Sequence, residues 1–204
     1  QYLLVPDQNL LKVPDQLSDE LAVYAEPVAA ALEVIEQITE ACPTEALVIG
    51  AGRLGMITAQ VLASFGVKVQ MLVRNPLRAQ HIQNSDIEIV SRVDKDAYGC
   101  VIDCSGPKEG LVTALDATLS QGLLVLKSTV VNAGDVDLSP IMVKELNGWG
   151  SRCGPMAKAL SWLDADSMKP PKAVVFPLAE VKAALDAATD PRVFKVLFQP
   201  NPSI

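Results

Sequence analysis

The sequence predicts an α/β protein built on a parallel sheet, and three observations carry that expectation. Short unbroken apolar runs read as strands buried on both faces, single stretches of helical periodicity separate them, and a glycine-rich turn joins one strand to the next helix. Strands separated by single helices need crossover connections, which makes the sheet parallel.

Along the chain, the first 26 residues read as extended pieces broken by Pro6 and Pro14, with Tyr2 to Val5 and Asn9 to Val13 as strands. From Pro27 the spacing of Val28, Ala31, Leu32, Ile35 and Ile38 predicts a helix to about Thr39, with Pro27 suited to a first helical position. Ala46 to Ile49 is the first strand of the main unit. After the glycine cluster, Leu54, Ile57, Val61 and Phe65 mark a helix stopped by Gly66. Val67 to Val73 is the second strand, Pro76 to about Gln83 a helix, and Ile87 to Val90 the third strand. Cys100 to Cys104 is the fourth, a helix on Leu111, Ala114, Leu115 and Leu119 follows, and Gly122 to Leu126 is the fifth. A sixth strand is expected near Lys144 to Arg152 and a helix from Pro155 to Leu163. Beyond the break at Pro170 and Pro171 come an amphipathic helix on Leu178, Val181 and Leu185 and a last strand at Val193 to Phe198.

The chain of 204 residues is 50% hydrophobic, enough for a core of its own. Its net charge of −7 opposes any surface built to neutralise a phosphate backbone, so nucleic acid is not an expected partner. No apolar run approaches the roughly 20 residues of a membrane span, and no basic stretch leads into an apolar one at the start. Cys42, Cys100, Cys104 and Cys153 are too scattered for a disulfide scaffold, which suggests a reducing, cytoplasmic setting.

Gly50-Ala51-Gly52-Arg53-Leu54-Gly55 closes a buried strand and opens a helix inside a strand-helix-strand unit. In that context G-x-G-x-x-G points to a dinucleotide. Gly50 allows the tight turn, Gly52 the approach of a pyrophosphate to the backbone, and Gly55 close packing of helix on strand. The fold class is therefore a Rossmann-type doubly wound parallel six-stranded sheet. At the end of the second strand, where an acid would accept from the ribose of NAD, stand Arg74, Asn75 and Arg78. Two guanidinium groups there favour NADP; stacking of Arg74 on adenine with NAD bound, or a solvated charge at a helix start, are the alternatives. Cys104, Ser105 and Gly106 after the fourth strand should flank the adenosine half. Lys127 and Ser128 after the fifth should lie nearer the nicotinamide half, with a solvated loop lysine as the alternative.

Two other constellations fail. Cys100 and Cys104 would sit about 13 Å apart on a strand, too far for one zinc, and read as core thiols. His81, the one histidine, reads as a solvated surface residue. No catalytic or metal-ligating set is assigned within the chain.

The order of these motifs resembles the medium-chain dehydrogenase/reductase family, whose zinc-dependent members include alcohol, sorbitol, glucose and threonine dehydrogenases. The resemblance rests on Glu26 to Ala31, Gly50 to Gly55, Val101 to Gly106, Gly150 to Pro155 and Arg192 to Leu197. It implies that the chain corresponds to the nucleotide-binding, C-terminal half. Residues 1–26 and 169–204 would then be short remnants of a catalytic domain, with the dinucleotide-binding domain at 27–168. It further implies hydride transfer between NAD or NADP and an alcohol or carbonyl. Most zinc ligands would lie in the half not represented here, so zinc is not expected in this chain. Glu26 matches a position beside that zinc, Lys195 one that faces the cofactor pyrophosphate, and Ser151 and Arg152 positions close to the nicotinamide. A non-catalytic dinucleotide-binding module is the rival. Relatives commonly dimerise through the sheet edge, here Lys144 to Arg152, with Leu146 and Trp149 facing a homodimer partner.

Overall fold

The computed structural model describes residues 4–82, 84–129, 135–165 and 170–200. After a short 3-10 turn at Asp7–Asn9 come helices α1 (Asp19–Ala22) and α2 (Ala25–Ile38). The main unit then runs β1 (Glu45–Ile49), α3 (Arg53–Ser64), β2 (Lys68–Leu72), α4 (Pro76–Ala79), β3 (Ile87–Val90), β4 (Tyr98–Asp103), α5 (Lys108–Ala117) and β5 (Thr118–Leu126). It ends with α6 (Ser139–Val143), β6 (Asn147–Gly150) and α7 (Met156–Asp164), and the chain continues through β7 (Val174–Pro177), α8 (Val181–Thr189) and β8 (Val196–Gln199). The six-stranded sheet has the order β3-β2-β1-β4-β5-β6, and every pair in it is parallel. This is the doubly wound arrangement expected from the sequence, with its switch in strand order between β1 and β4.

Alternate residues of each central strand feed two separate cores, which is why the strands read as continuous apolar runs. Ala46 and Val48 of β1, Cys100 and Ile102 of β4, and Leu123 and Val125 of β5 pack toward α2, α3 and α7. Leu47 and Ile49, Val101, and Leu124 pack on the opposite side with Leu111, Ala114 and Leu115 of α5.

Several expectations need correction. Asn9 closes the 3-10 turn and residues 10–13 form no strand. Of the strand expected at Tyr2 to Val5, residues 2 and 3 lie outside the described residues, and Leu4 and Val5 are not in a strand. Among the described residues no neighbouring strand runs beside these pieces, and an extended chain without a ladder partner leaves its backbone groups to water. Leu119 belongs to β5, because α5 stops at Ala117 and the strand begins at once. The Lys144 ammonium makes that abrupt stop possible: it donates to Leu115 O at 2.8 Å, Asp116 O at 3.0 Å and Thr118 O at 2.9 Å, capping the carbonyls the helix leaves open. Strand β7 was not anticipated; it pairs in parallel with β8 as a separate two-stranded sheet. Leu146 is buried in the α5-side core rather than turned outward, and Trp149 is half-buried against the other core. At this edge the exposed apolar side chains are those of Met142 and Val143 on α6.

Candidate functional site

The carboxyl ends of β1, β4, β5 and β6 line up along one edge, because the parallel ladder continues one rung past each strand. Cys104 N donates to Ile49 O, Lys127 N to Asp103 O, and Ser151 N to Leu126 O, each at 2.9 Å. Segments far apart in sequence thereby meet at the switch point. Two cavities open there, on either side of the glycine turn.

The first, a cleft of about 280 Å³, is lined by Gly50, Gly52, Arg74, Asn75, Arg78 and Ser105, among others. Its floor is backbone. Gly50 has φ +103°, and a Cβ on it would meet the Ser105 Cα at 2.7 Å; a Cβ on Gly55 would lie 1.9 Å from the Gly50 carbonyl oxygen. Both glycines are therefore required for α3 to sit against the β1 and β4 ends. Gly52 differs: a Cβ there would meet nothing within 4 Å. Gly52 caps α3 without a side-chain bond, so the first N–H groups of that helix face a space that Gly52, having no side chain, leaves open.

The opposite wall is held by a buried turn. Asp103 Oδ1 accepts from Ser105 N at 2.9 Å and from Ser105 Oγ at 2.6 Å. Gly110 of α5 leaves room for that hydroxyl, since a Cβ on it would fall 1.7 Å from Ser105 Oγ. Gly106 has φ +90° and turns the chain into α5. Across the cleft, Asn75 spends its side chain capping α4 through Leu77 N at 3.0 Å. Arg74 reaches from the end of β2 to α5, its Nη2 donating to Thr113 Oγ1 at 2.8 Å. Neither Arg74 nor Arg78 has a carboxylate partner among the described residues.

The second cavity, about 440 Å³, is lined by Glu26, Arg53, Leu54, Lys127, Arg152 and Lys195, together with Tyr24 and Phe194. Lys127 is buried, not a solvated loop residue. Its ammonium donates to Ala30 O at 2.7 Å, Ser151 Oγ at 3.2 Å and Arg152 O at 3.0 Å. These three acceptors use all its donors and tie α2 to the end of β6. Burial lowers its pKa, against smaller opposing effects of Cys104, Glu33, Cys153 and Glu26. Lys195 donates to Val23 O at 3.1 Å and lies 4.4 Å from the centre of the Tyr24 ring; desolvation, then Arg53, lowers its pKa. Ser128 donates a long bond of 3.4 Å to Asp103 O.

Of the residues singled out from the sequence, Gly55, Cys104, Gly106, Ser128 and Ser151 shape the edge without lining either cavity. Cys104 turns its thiol toward α3, 3.9 Å from Thr58 Oγ1, and burial pushes it up to about 12, as it does Cys100. These are core thiols, as the spacing suggested. His81 is half-buried, its ring 5.7 Å from that of Phe194 and its Nε2 3.3 Å from Pro191 O, which corrects the solvated reading. Thr113, Gly110 and Tyr24 were not singled out. A glycine inside a helical stretch was the available signal for Gly110; nothing local announces Thr113 or Tyr24, whose partners are far away in sequence.

Fold and cleft together have the architecture of the nucleotide-binding domains of dehydrogenases. No protein-family model matches the chain. Curated relatives include a D-xylulose reductase of Scheffersomyces stipitis, 26% identical over 74% of this chain and 46% of its own length. A D-arabinitol dehydrogenase 1 of Uromyces fabae is also 26% identical, over 91% of this chain and 60% of its own. Among solved structures, L-idonate 5-dehydrogenase of Escherichia coli superimposes with a TM-score of 0.86 at 19% identity, covering 96% of this chain and 61% of that one. A Sinorhizobium meliloti protein described as a zinc-binding dehydrogenase, bound to NADP, gives 0.82 at 19% identity, covering 98% and 65%. The chain is thus related to polyol and threonine dehydrogenases and has the fold of zinc-type alcohol dehydrogenases, bearing out the resemblance to the medium-chain family. It spans about half to two-thirds of the length of the relatives it matches.

Proposed function

We propose that the chain binds NADP or NAD across the glycine turn as the cofactor half of a medium-chain polyol or alcohol dehydrogenase. The observation that carries this reading is Gly52, whose missing side chain leaves the uncapped start of α3 open at the switch point. The first cavity takes the adenosine half, with Arg74 and Arg78 biasing it toward the 2′-phosphate of NADP. The second takes the pyrophosphate and nicotinamide half, with Arg53 and Lys195 supplying positive charge and Lys127 holding Ser151 and Arg152 in place. When bound, the nicotinamide supplies or accepts the hydride.

Among the described residues no three His, Cys, Asp or Glu side chains come together, so these residues do not by themselves form a tetrahedral zinc centre. In this reading residues 1–26 and 169–204 pack with a catalytic domain that supplies the groups for alcohol oxidation. A cytoplasmic homodimer joined at the β6 edge beside Met142 and Val143 completes the reading. Calorimetric titration with NADPH tests its core: Gly52→Val should stay folded and lose measurable binding, and unchanged affinity in the folded variant removes the turn from the site.

A further inference from the structure

Arg74 does not stand free in the first cavity. Its Nη2 donates to Thr113 Oγ1 at 2.8 Å and, more weakly, to Glu109 O at 3.4 Å. The Thr113 hydroxyl sends its own hydrogen to Glu109 O at 2.6 Å, one helical turn back. A hydroxyl has a single hydrogen to give, so that bond fixes its orientation and aims a lone pair at the guanidinium. One corner of Arg74 is thereby pinned to α5, while the residue still lines the cleft beside Arg78. Among the described residues no carboxylate neutralises either arginine.

We propose that Thr113 is a specificity-setting positioning residue: by pinning Arg74 it presets the free edge of the guanidinium for the additional phosphate that distinguishes NADP from NAD. This rests on the reading of the cleft as the adenosine site. The physical reason is entropic. An exposed arginine that must be immobilised on binding loses rotamer freedom at that moment, whereas one already held on a helix has lost it in folding. Thr113 needs no contact with the ligand for this, and its effect falls on the 2′-phosphate alone.

The test uses two fragments that lack nicotinamide, 2′,5′-ADP and 5′-AMP, titrated calorimetrically into the full chain. Their affinity ratio reads the 2′-phosphate contribution. The wild type should prefer 2′,5′-ADP, and Thr113→Val, the same shape without the hydroxyl, should cut the ratio about threefold to tenfold while leaving 5′-AMP binding unchanged. Thr113→Ser, which restores the hydroxyl, should restore the ratio; a purely packing role for the side chain would leave it lowered. Circular dichroism confirms that each variant is folded. If the wild type discriminates and Thr113→Val discriminates equally well, the role of Thr113 is refuted and the NADP reading stands. A wild type that binds both fragments with equal affinity refutes both.

Discussion

The two cavities beside the glycine turn are built by opposite means. The first has a floor of backbone, made possible where Gly50, Gly55 and Gly110 let segments touch and where Gly52 leaves space. The second is walled by side chains from α2, α3, the ends of β5 and β6, and the segment before β8, and it is held open around the buried ammonium of Lys127. Where backbone meets backbone, as at Gly50 and Gly55, the first site tolerates no added atom, because nothing there can rotate away. A site built from side chains can lose one group and settle around the loss.

Gly55→Ala should break the first kind hardest. Its Cβ would fall 1.9 Å from a carbonyl oxygen, so α3 must lift from the sheet. A loss of about 3 kcal/mol in urea unfolding is expected, with cofactor binding abolished. Lys127→Met should cost less, about 2 kcal/mol. It strands three acceptors but also removes an ammonium that was costly to bury. A larger loss from Lys127→Met than from Gly55→Ala would reverse the contrast drawn between the two cavities.

The same lysine sharpens the comparison through pH. Burial lowers its pKa in the folded chain, so the unfolded chain holds the proton more tightly. The penalty is complete below the folded value and fades as pH rises toward the ordinary lysine range. Wild type should therefore gain on Lys127→Met as pH rises toward the ordinary lysine range in paired unfolding curves. A gap that stays constant would mean the ammonium is effectively solvated. The smallest effect concerns thiols. Cys100 and Cys104, pushed up to about 12, should resist a disulfide reagent that modifies the exposed Cys42 and Cys153. Two of the four should react in the folded chain and all four in denaturant.

The sequence by itself determined the class of fold, the parallel sheet, the position of the glycine turn and the side of the sheet on which it opens. These follow from local signals: apolar runs, helical spacing and a glycine cluster set between a strand and a helix. The arginines after β2 were legible for the same reason, being fixed in place by the strand that carries them. Tertiary structure alone decided where α5 ends, because Lys144 caps it from beyond β5; that Lys127 is buried, because its acceptors sit on α2 and after β6; and that Leu146 faces a core. It also decided that Arg74 is pinned, because Thr113 lies 39 residues away. Each of these depends on a bond or contact between segments that only the sheet order brings together, and a linear pattern carries no record of which distant partner a side chain will meet.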